Sequence, residues 1–296
     1  MASTLVVDHA KVERWSSLGR DIDPSVPSNR LAIAGALIAA LVAGLTTLFG
    51  LQIDIGPVSA AIAVFLSWAI ARELDPDNPA SAAIAMPVSL VLLVLLGPSS
   101  LLVSTGVLLG LRMTAGTVGT SLRPLDILGI VALAALLGTS TMGLVGVAAM
   151  GVGVLVDEPR RERGMAIVAA AATAFVVTAL ITEVSWSWTV PNAAGWATLA
   201  IGAVATLWVV PAESPTSSTD RSPALVRRAR LTSARVAAGS AVVGAFAVSG
   251  DVGIVALAGT AIAALMGTAI ALIAGGLHRA PSARQTESAT SQLSTG

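Results

Sequence analysis

Apolar residues run through this chain in long blocks broken by short polar punctuation. Ten blocks stand out, at roughly 31–51, 56–72, 80–97, 100–115, 124–138, 140–156, 165–182, 193–211, 234–249 and 252–276. A helix of about 17–25 apolar residues spans the ~30 Å hydrocarbon core of a bilayer. The pattern therefore predicts an all-α, polytopic integral membrane helical bundle of about 10 transmembrane helices. The blocks near 100–115, 124–138 and 234–249 fall short of that length and also read as half-helices or re-entrant segments, so eight full crossings is the alternative count. Around the bundle at 31–276, the pattern predicts a polar tail over 1–30, a linker over 212–233, and a disordered tail over 277–296.

Charge then orients the bundle. With the N-terminus inside, an even number of crossings puts the connections at 72–79, 112–123, 157–164 and 212–233 on the cytoplasmic side of the cell membrane, with both termini. These connections hold Arg72, Arg112, Arg123, Arg160, Arg161, Arg163, Arg227, Arg228 and Arg230. The opposite connections, near 52–55, 97–99, 138–140, 183–192 and 250–251, contain no Lys or Arg and carry only Asp54, Glu183 and Asp251. That asymmetry is the positive-inside pattern. Trp186, Trp188 and Trp196 flank one outer connection, and Trp68 and Trp208 lie towards inner helix ends, the depth at which indole rings anchor to the headgroup boundary. The first block begins near Leu31 and is longer than a signal-peptide core, so it reads as a retained span. Before it, residues 7–18 with Trp15 read either as an amphipathic helix on the membrane surface or as a disordered tail.

Composition agrees with the pattern. Only 11% of residues are charged and 55% are hydrophobic, against about 25% charged in soluble domains. The 28 glycines allow close helix approach, and Gly106-x-x-x-Gly110, Ala149-x-x-x-Gly153 and Ser249-x-x-x-Gly253 are candidate contact faces. The chain has no Cys, which removes disulfides, thiolate metal sites and Cys nucleophiles. Net charge is zero, which gives no expectation of nucleic-acid binding. His9 and His278 stand at opposite ends without a His-Glu-x-x-His pattern, so neither a zinc hydrolase nor a Ser-His-carboxylate hydrolase is expected.

Two inner connections carry candidate chemistry. Asp75 and Asp77 flank Pro76, and in a turn their carboxylates could converge on a hard cation such as Mg2+. The same stretch also reads as a helix stop and restart, with Pro76 ending one helix, Asn78 capping the next and Pro79 opening it. Arg112 and Arg123 flank a segment rich in Gly and hydroxyls, suited to holding phosphate or a phosphorylated headgroup, or equally to snorkelling at helix ends. Together the two connections predict a composite metal–phosphate site. The arginines Arg160, Arg161, Arg163, Arg227, Arg228 and Arg230 predict contact with anionic lipid headgroups. At the other side, Glu183, Asp251 and Asp54 are candidate gating carboxylates, and they read equally as ordinary charges at the water boundary.

No block carries a charged residue near its middle, which argues against proton-coupled or charged-substrate transport through a central ion site and leaves neutral substrates. The Asp-rich motifs of membrane prenyltransferases and the Asp-Gly/Ala-Arg motif of CDP-alcohol phosphotransferases are absent. Ten short spans in about 300 residues with both ends inside resemble the drug/metabolite transporter superfamily in layout, without its motif residues. The sequence thus predicts a transporter or binder of a neutral or lipidic small molecule. The alternatives are a metal-assisted membrane enzyme acting on a phosphorylated lipid, and a structural or assembly subunit.

Overall fold

The computed structural model describes residues 16–18, 22–49, 55–117, 121–212, 216, 219 and 225–275. The predicted tail at 277–296 lies wholly, and that at 1–30 largely, outside the described residues; of the linker expected at 212–233, residues 212, 216, 219 and 225–233 are described, and from Arg228 onward they are helical, so the linker ends earlier than expected. Each of the ten apolar blocks is a helix: α1 Pro27–Leu48, α2 Pro57–Leu74, α3 Pro79–Leu96, α4 Leu101–Ala115, α5 Pro124–Leu137, α6 Gly143–Asp157, α7 Arg161–Ile181, α8 Ala193–Val209, α9 Arg228–Ser249 and α10 Asp251–Gly275. Among the described residues there is no strand, only an isolated bridge between Thr189 and Gly250.

Six helices (α1, α2, α3, α7, α9 and α10) are long and apolar enough to cross a membrane, and α4, α5, α6 and α8 are shorter apolar helices. The expected short block at 234–249 belongs to a full-length helix, because α9 begins at Arg228. Its first turn is charged, so hydropathy ends before the helix does. For the same reason α7 begins at Arg161, ahead of the apolar block at 165.

Local chemistry sets the boundaries. Proline stands at the start of α1, α2, α3 and α5, where its missing N–H costs nothing and its fixed φ suits a first turn. Asn78, Ser100 and Asn192 cap α3, α4 and α8 by accepting from the amides of Ala80, Val103 and Gly195. Gly116 ends α4 in the left-handed conformation, at φ 68°, which a residue with a Cβ rarely adopts.

From α3 to α9 the helices alternate in direction. One set of ends meets through Ser81, Arg112, Asp126, Asp157, Arg163, Ala212 and Arg230. The other set meets through Ser100, Gly138, Ser249 and Asn192. The first set is called the basic end below, because it holds the arginines. Among the six long helices the most buried are α10 and α2, whereas α1 and α7 lie on the outside. α2 and α3 pack along each other and α7 and α8 do not, so the two halves of the chain do not repeat one arrangement.

The broadest contact joins α4 to α6, and its cause is the absence of side chains. Gly106 rests on the backbone of Gly146, a Cβ on Gly110 would fall 2.3 Å from the carbonyl oxygen of Ala149, and one on Gly153 would fall 2.6 Å from that of Gly110. Two of the small-residue faces read from sequence therefore meet inside the chain. The third is also internal, with Gly253 of α10 against the Ala245 carbonyl of α9. Where lipid offers no hydrophobic driving force between helices, such approach supplies the dispersion contacts that hold them.

Gly110→Val is expected to lower stability by about 1–3 kcal/mol through overpacking, read as a lower melting temperature in detergent. Gly129→Val, where a Cβ meets nothing within 4 Å, is the control and should melt like wild type. Equal melting of both variants would contradict this account of the α4–α6 contact.

Candidate functional site

At the basic end, the two candidate connections do meet, but the residue that joins them is Glu73. Glu73 is fully buried in the last turn of α2. Its Oε1 accepts from Arg112 Nε at 2.9 Å and its Oε2 accepts from the Thr117 hydroxyl. Arg112 Nη1 also donates to the Leu18 carbonyl at 2.7 Å. The Arg112 guanidinium is thus already held by a carboxylate and a carbonyl.

Asp75 and Asp77 are engaged by different partners. Asp75 follows α2 and is buried, with its carboxylate accepting from Ser81 Oγ at 2.5 Å. Asp77 is exposed and accepts from the amide and hydroxyl of Thr216, at 2.6 and 3.2 Å. Among the described residues, no group of three or more His, Asp or Glu is placed to hold a metal. Arg123 stands at the N-cap of α5, where its amide donates to Asp126 Oδ2 at 2.9 Å.

Asp126 collects four more bonds, from Ser16 Oγ at 2.7 Å, Ser17 N at 2.8 Å, Ser17 Oγ at 2.6 Å and Leu18 N at 3.2 Å. A buried carboxylate thereby pins residues 16–18 onto the start of α5, and Arg112 pins the same segment to the end of α4. The described part of the segment read as a surface helix or tail is a strap across the basic end.

The remaining predicted arginines divide. Arg230 pairs with Asp157 at 2.9 Å and donates to the carbonyls of Thr114, at 3.0 Å, and Met113. Arg163 pairs with Glu158 at 3.2 Å and donates to the Leu122 carbonyl at 3.2 Å. Arg160, Arg161, Arg227 and Arg228 are exposed. Arg235, at the start of the apolar block at 234–249, is 2% exposed and donates to the carbonyls of Leu74 at 2.9 Å and Ala212 at 3.1 Å.

The feature that the pattern of blocks concealed lies inside α10. Residues Ala258–Ile262 form a π-helical turn. A π turn shifts the backbone bonds of an α-helix by one residue and often marks a functional position. Here the neighbours meet it with hydroxyls. Ser89 of α3 donates to the Gly259 carbonyl, the Gly259 amide donates to Ser99 Oγ at 2.9 Å, and Ser104 of α4 and Thr260 share a hydrogen bond of 2.7 Å. Ser89, Ser104 and Thr260 are fully buried.

Ser99 also faces outward. With Pro98, Ser100, Ser140, Asp251 and Val255 it lines an open cavity of about 380 Å³ at the end opposite the arginines. Asp251 Oδ2 accepts from Asn192 Nδ2 at 3.3 Å, and its buried Oδ1 takes no hydrogen bond. The floor of the cavity thus connects through Ser99 to a set of neutral donors and acceptors in the centre of the bundle. Both histidines lie outside the described residues, and Asp251 is the ionisable residue that shares the cavity lining with Ser99. The buried hydroxyls can each donate and accept hydrogen bonds.

The tryptophans frame the same end. Trp188 donates to the Phe246 carbonyl at 3.1 Å, and Trp188 and Trp196 pack on the Phe246 ring at 6.0 and 5.3 Å. Both remain largely exposed, as an interfacial anchor should. Trp68 differs from expectation: it is 5% exposed and packs on Phe65, so it belongs to the core. No protein-family model, curated protein or solved structure matches this chain.

Burial raises the pKa of Asp75 above its ordinary value of 3.8, with Ser81 and the nearby Arg235 pulling the other way. A folded-state pKa above the unfolded one adds stability at pH below the unfolded value, and that contribution is lost as pH rises through the folded value. Asp75→Asn keeps an acceptor for Ser81 and removes the titration. Thermal melts should match wild type near pH 4 and show the variant more stable at pH 8. A variant less stable than wild type at pH 8 would contradict the assignment.

Proposed function

We propose that this protein is a multi-pass membrane carrier or binder for a small neutral solute that is recognised by hydrogen bonds. Its ten helices all cross the membrane, and its basic end and both termini face the cytoplasm. The observation that carries the reading is the hydroxyl cluster around the π turn of α10, reached from an open cavity at one end and separated from the other end by a layer of arginine contacts.

Helix length supports it. At 1.5 Å per residue, α4 and α6, with 15 residues each, measure about 22 Å, less than the ~30 Å core. Arg112 and Asp157 tie the ends of both to the arginine layer. Their missing length therefore falls at the opposite end, where Ser100 and Ser140, just before these helices, line the cavity. The cavity is a recess below the outer surface because the helices at its side stop early.

Chemistry supports it as well. The cluster holds no formal charge, so an ion would enter at a high desolvation cost, whereas a neutral hydroxyl or amide can exchange bonds with Ser99, Ser104 and Thr260. Passage to the cytoplasm requires the Arg112–Glu73 and Arg230–Asp157 contacts to part, so the arrangement corresponds to a form closed on the cytoplasmic side.

The test is flux of a panel of neutral polyols, sugars and amides into liposomes carrying the purified protein, with and without a membrane potential. At least one solute should enter faster than in empty liposomes and independently of potential. Ser104→Ala/Thr260→Val should slow that entry about tenfold, the scale of one or two buried hydrogen bonds. Flux of ions only, or flux unaffected by the double variant, would contradict the proposal.

A further inference from the structure

A second apolar recess runs along the outside of the bundle between α6 and α9. It has a volume of about 520 Å³ and extends on α9 from Thr232 to Val248, a length of about 24 Å at 1.5 Å per residue. Its walls are small or aliphatic, with Ala148 and Val152 on α6 and Val236 and Gly244 on α9. Polar groups appear at its basic end, as Thr232 and Ser233.

At that end the Arg230–Asp157 ion pair joins the start of α9 to the end of α6. Within three residues on one side are Arg227 and Arg228, and within four on the other are Arg160 and Arg161. All four are exposed, and none of the ion pairs among the described residues uses them. Four exposed arginines thus flank in sequence the ion pair that closes this end of an apolar recess long enough for an acyl chain.

We propose that this recess is a binding site for an anionic phospholipid, one acyl chain lying between α6 and α9 and the phosphate at the corner formed by Arg160, Arg161, Arg227 and Arg228. Guanidinium forks match phosphate oxygens in geometry as well as charge. A second copy of the chain fits less well. Copies inserted in one orientation and paired about a two-fold axis through this groove would bring identical basic corners together. The proposal is independent of what the bundle carries.

The test uses the delipidated full-length chain in detergent, with native mass spectrometry as readout and phosphatidylglycerol and phosphatidylcholine of equal chain length as probes. Phosphatidylglycerol should be retained at concentrations at least tenfold lower than phosphatidylcholine. Each arginine near the surface is worth about fivefold in affinity, so Arg160→Gln/Arg161→Gln/Arg227→Gln/Arg228→Gln should erase the preference while leaving the melting temperature unchanged. Gly244→Leu builds a side chain into the recess, where a Cβ meets nothing within 4 Å, and should weaken retention of both lipids. Equal retention of the two lipids by wild type, a preference that survives in the quadruple variant, or a Gly244→Leu variant that binds like wild type would overturn the site. So would a dimer that Gly244→Leu dissociates, because it would make a second copy the occupant.

Discussion

A helix that ends away from bulk water leaves its last carbonyls without donors and concentrates partial negative charge there. At one end of this bundle that constraint falls on several helices at once, and arginines satisfy it. Arg235 serves Leu74 at the end of α2 and Ala212 after α8, Arg230 serves Met113 and Thr114 in α4, and Arg112 serves Leu18 of the strap. Each guanidinium offers five donors in a planar fork, so one side chain can close two chain segments. The acids follow from this. Glu73 and Asp157 sit where an arginine already tied to carbonyls comes within 2.9 Å, which neutralises a charge that would otherwise be costly to bury.

The two ends of the molecule are closed by different chemistry. The basic end relies on charge-assisted bonds in a desolvated layer, individually stronger than neutral ones. The other end relies on hydroxyls and backbone, such as the contact between Thr141 and Ser249 at 3.3 Å and that of Thr189 with the Ser249 carbonyl at 3.0 Å. Between them, the π turn of α10 presents backbone groups that Ser89 and Ser99 answer. Exchange of such bonds with a solute costs little because each hydroxyl can turn to another partner. A stiff end, a weak end and a neutral polar centre are the features on which the proposed carrier reading rests.

Much of the fold could be read from the residues alone, because block length and proline at helix starts act locally. The boundaries that moved, at Arg161 and Arg228, are those where a helix opens on charge and hydropathy no longer reports it. The glycine faces of α4 and α6 could be read as faces, whereas their pairing required the third dimension. The site was less visible. Asp75 and Asp77 drew attention by spacing, yet the side chain that joins the two connections is Glu73, which sat in the same stretch without a role. Arg235 carried a signal, an arginine one turn or more inside an apolar helix, that a count of positive charges near a boundary absorbs. Nothing in the composition of 258–262 distinguishes a π turn, and the serines that bond to it, Ser89 and Ser99, lie some 160 to 170 residues away along the chain. Asp126 drew no attention in the sequence, because its hold on Ser16 and Ser17 is a contact across more than a hundred residues.

The central claim is that arginines at the basic end hold the helix ends through their carbonyls. The most direct measurement compares melting temperatures in detergent of Arg235→Lys and Arg228→Lys. Lysine keeps the charge at 235 but cannot present two fixed donors to Leu74 and Ala212, so a loss of about 1.5–3 kcal/mol is expected, the scale of a hydrogen bond to a charged group. At the exposed position 228 the same change should have no measurable effect. An Arg235→Lys variant that melts with wild type would show that charge alone, and not the fork bridging two helix ends, is what the bundle needs there.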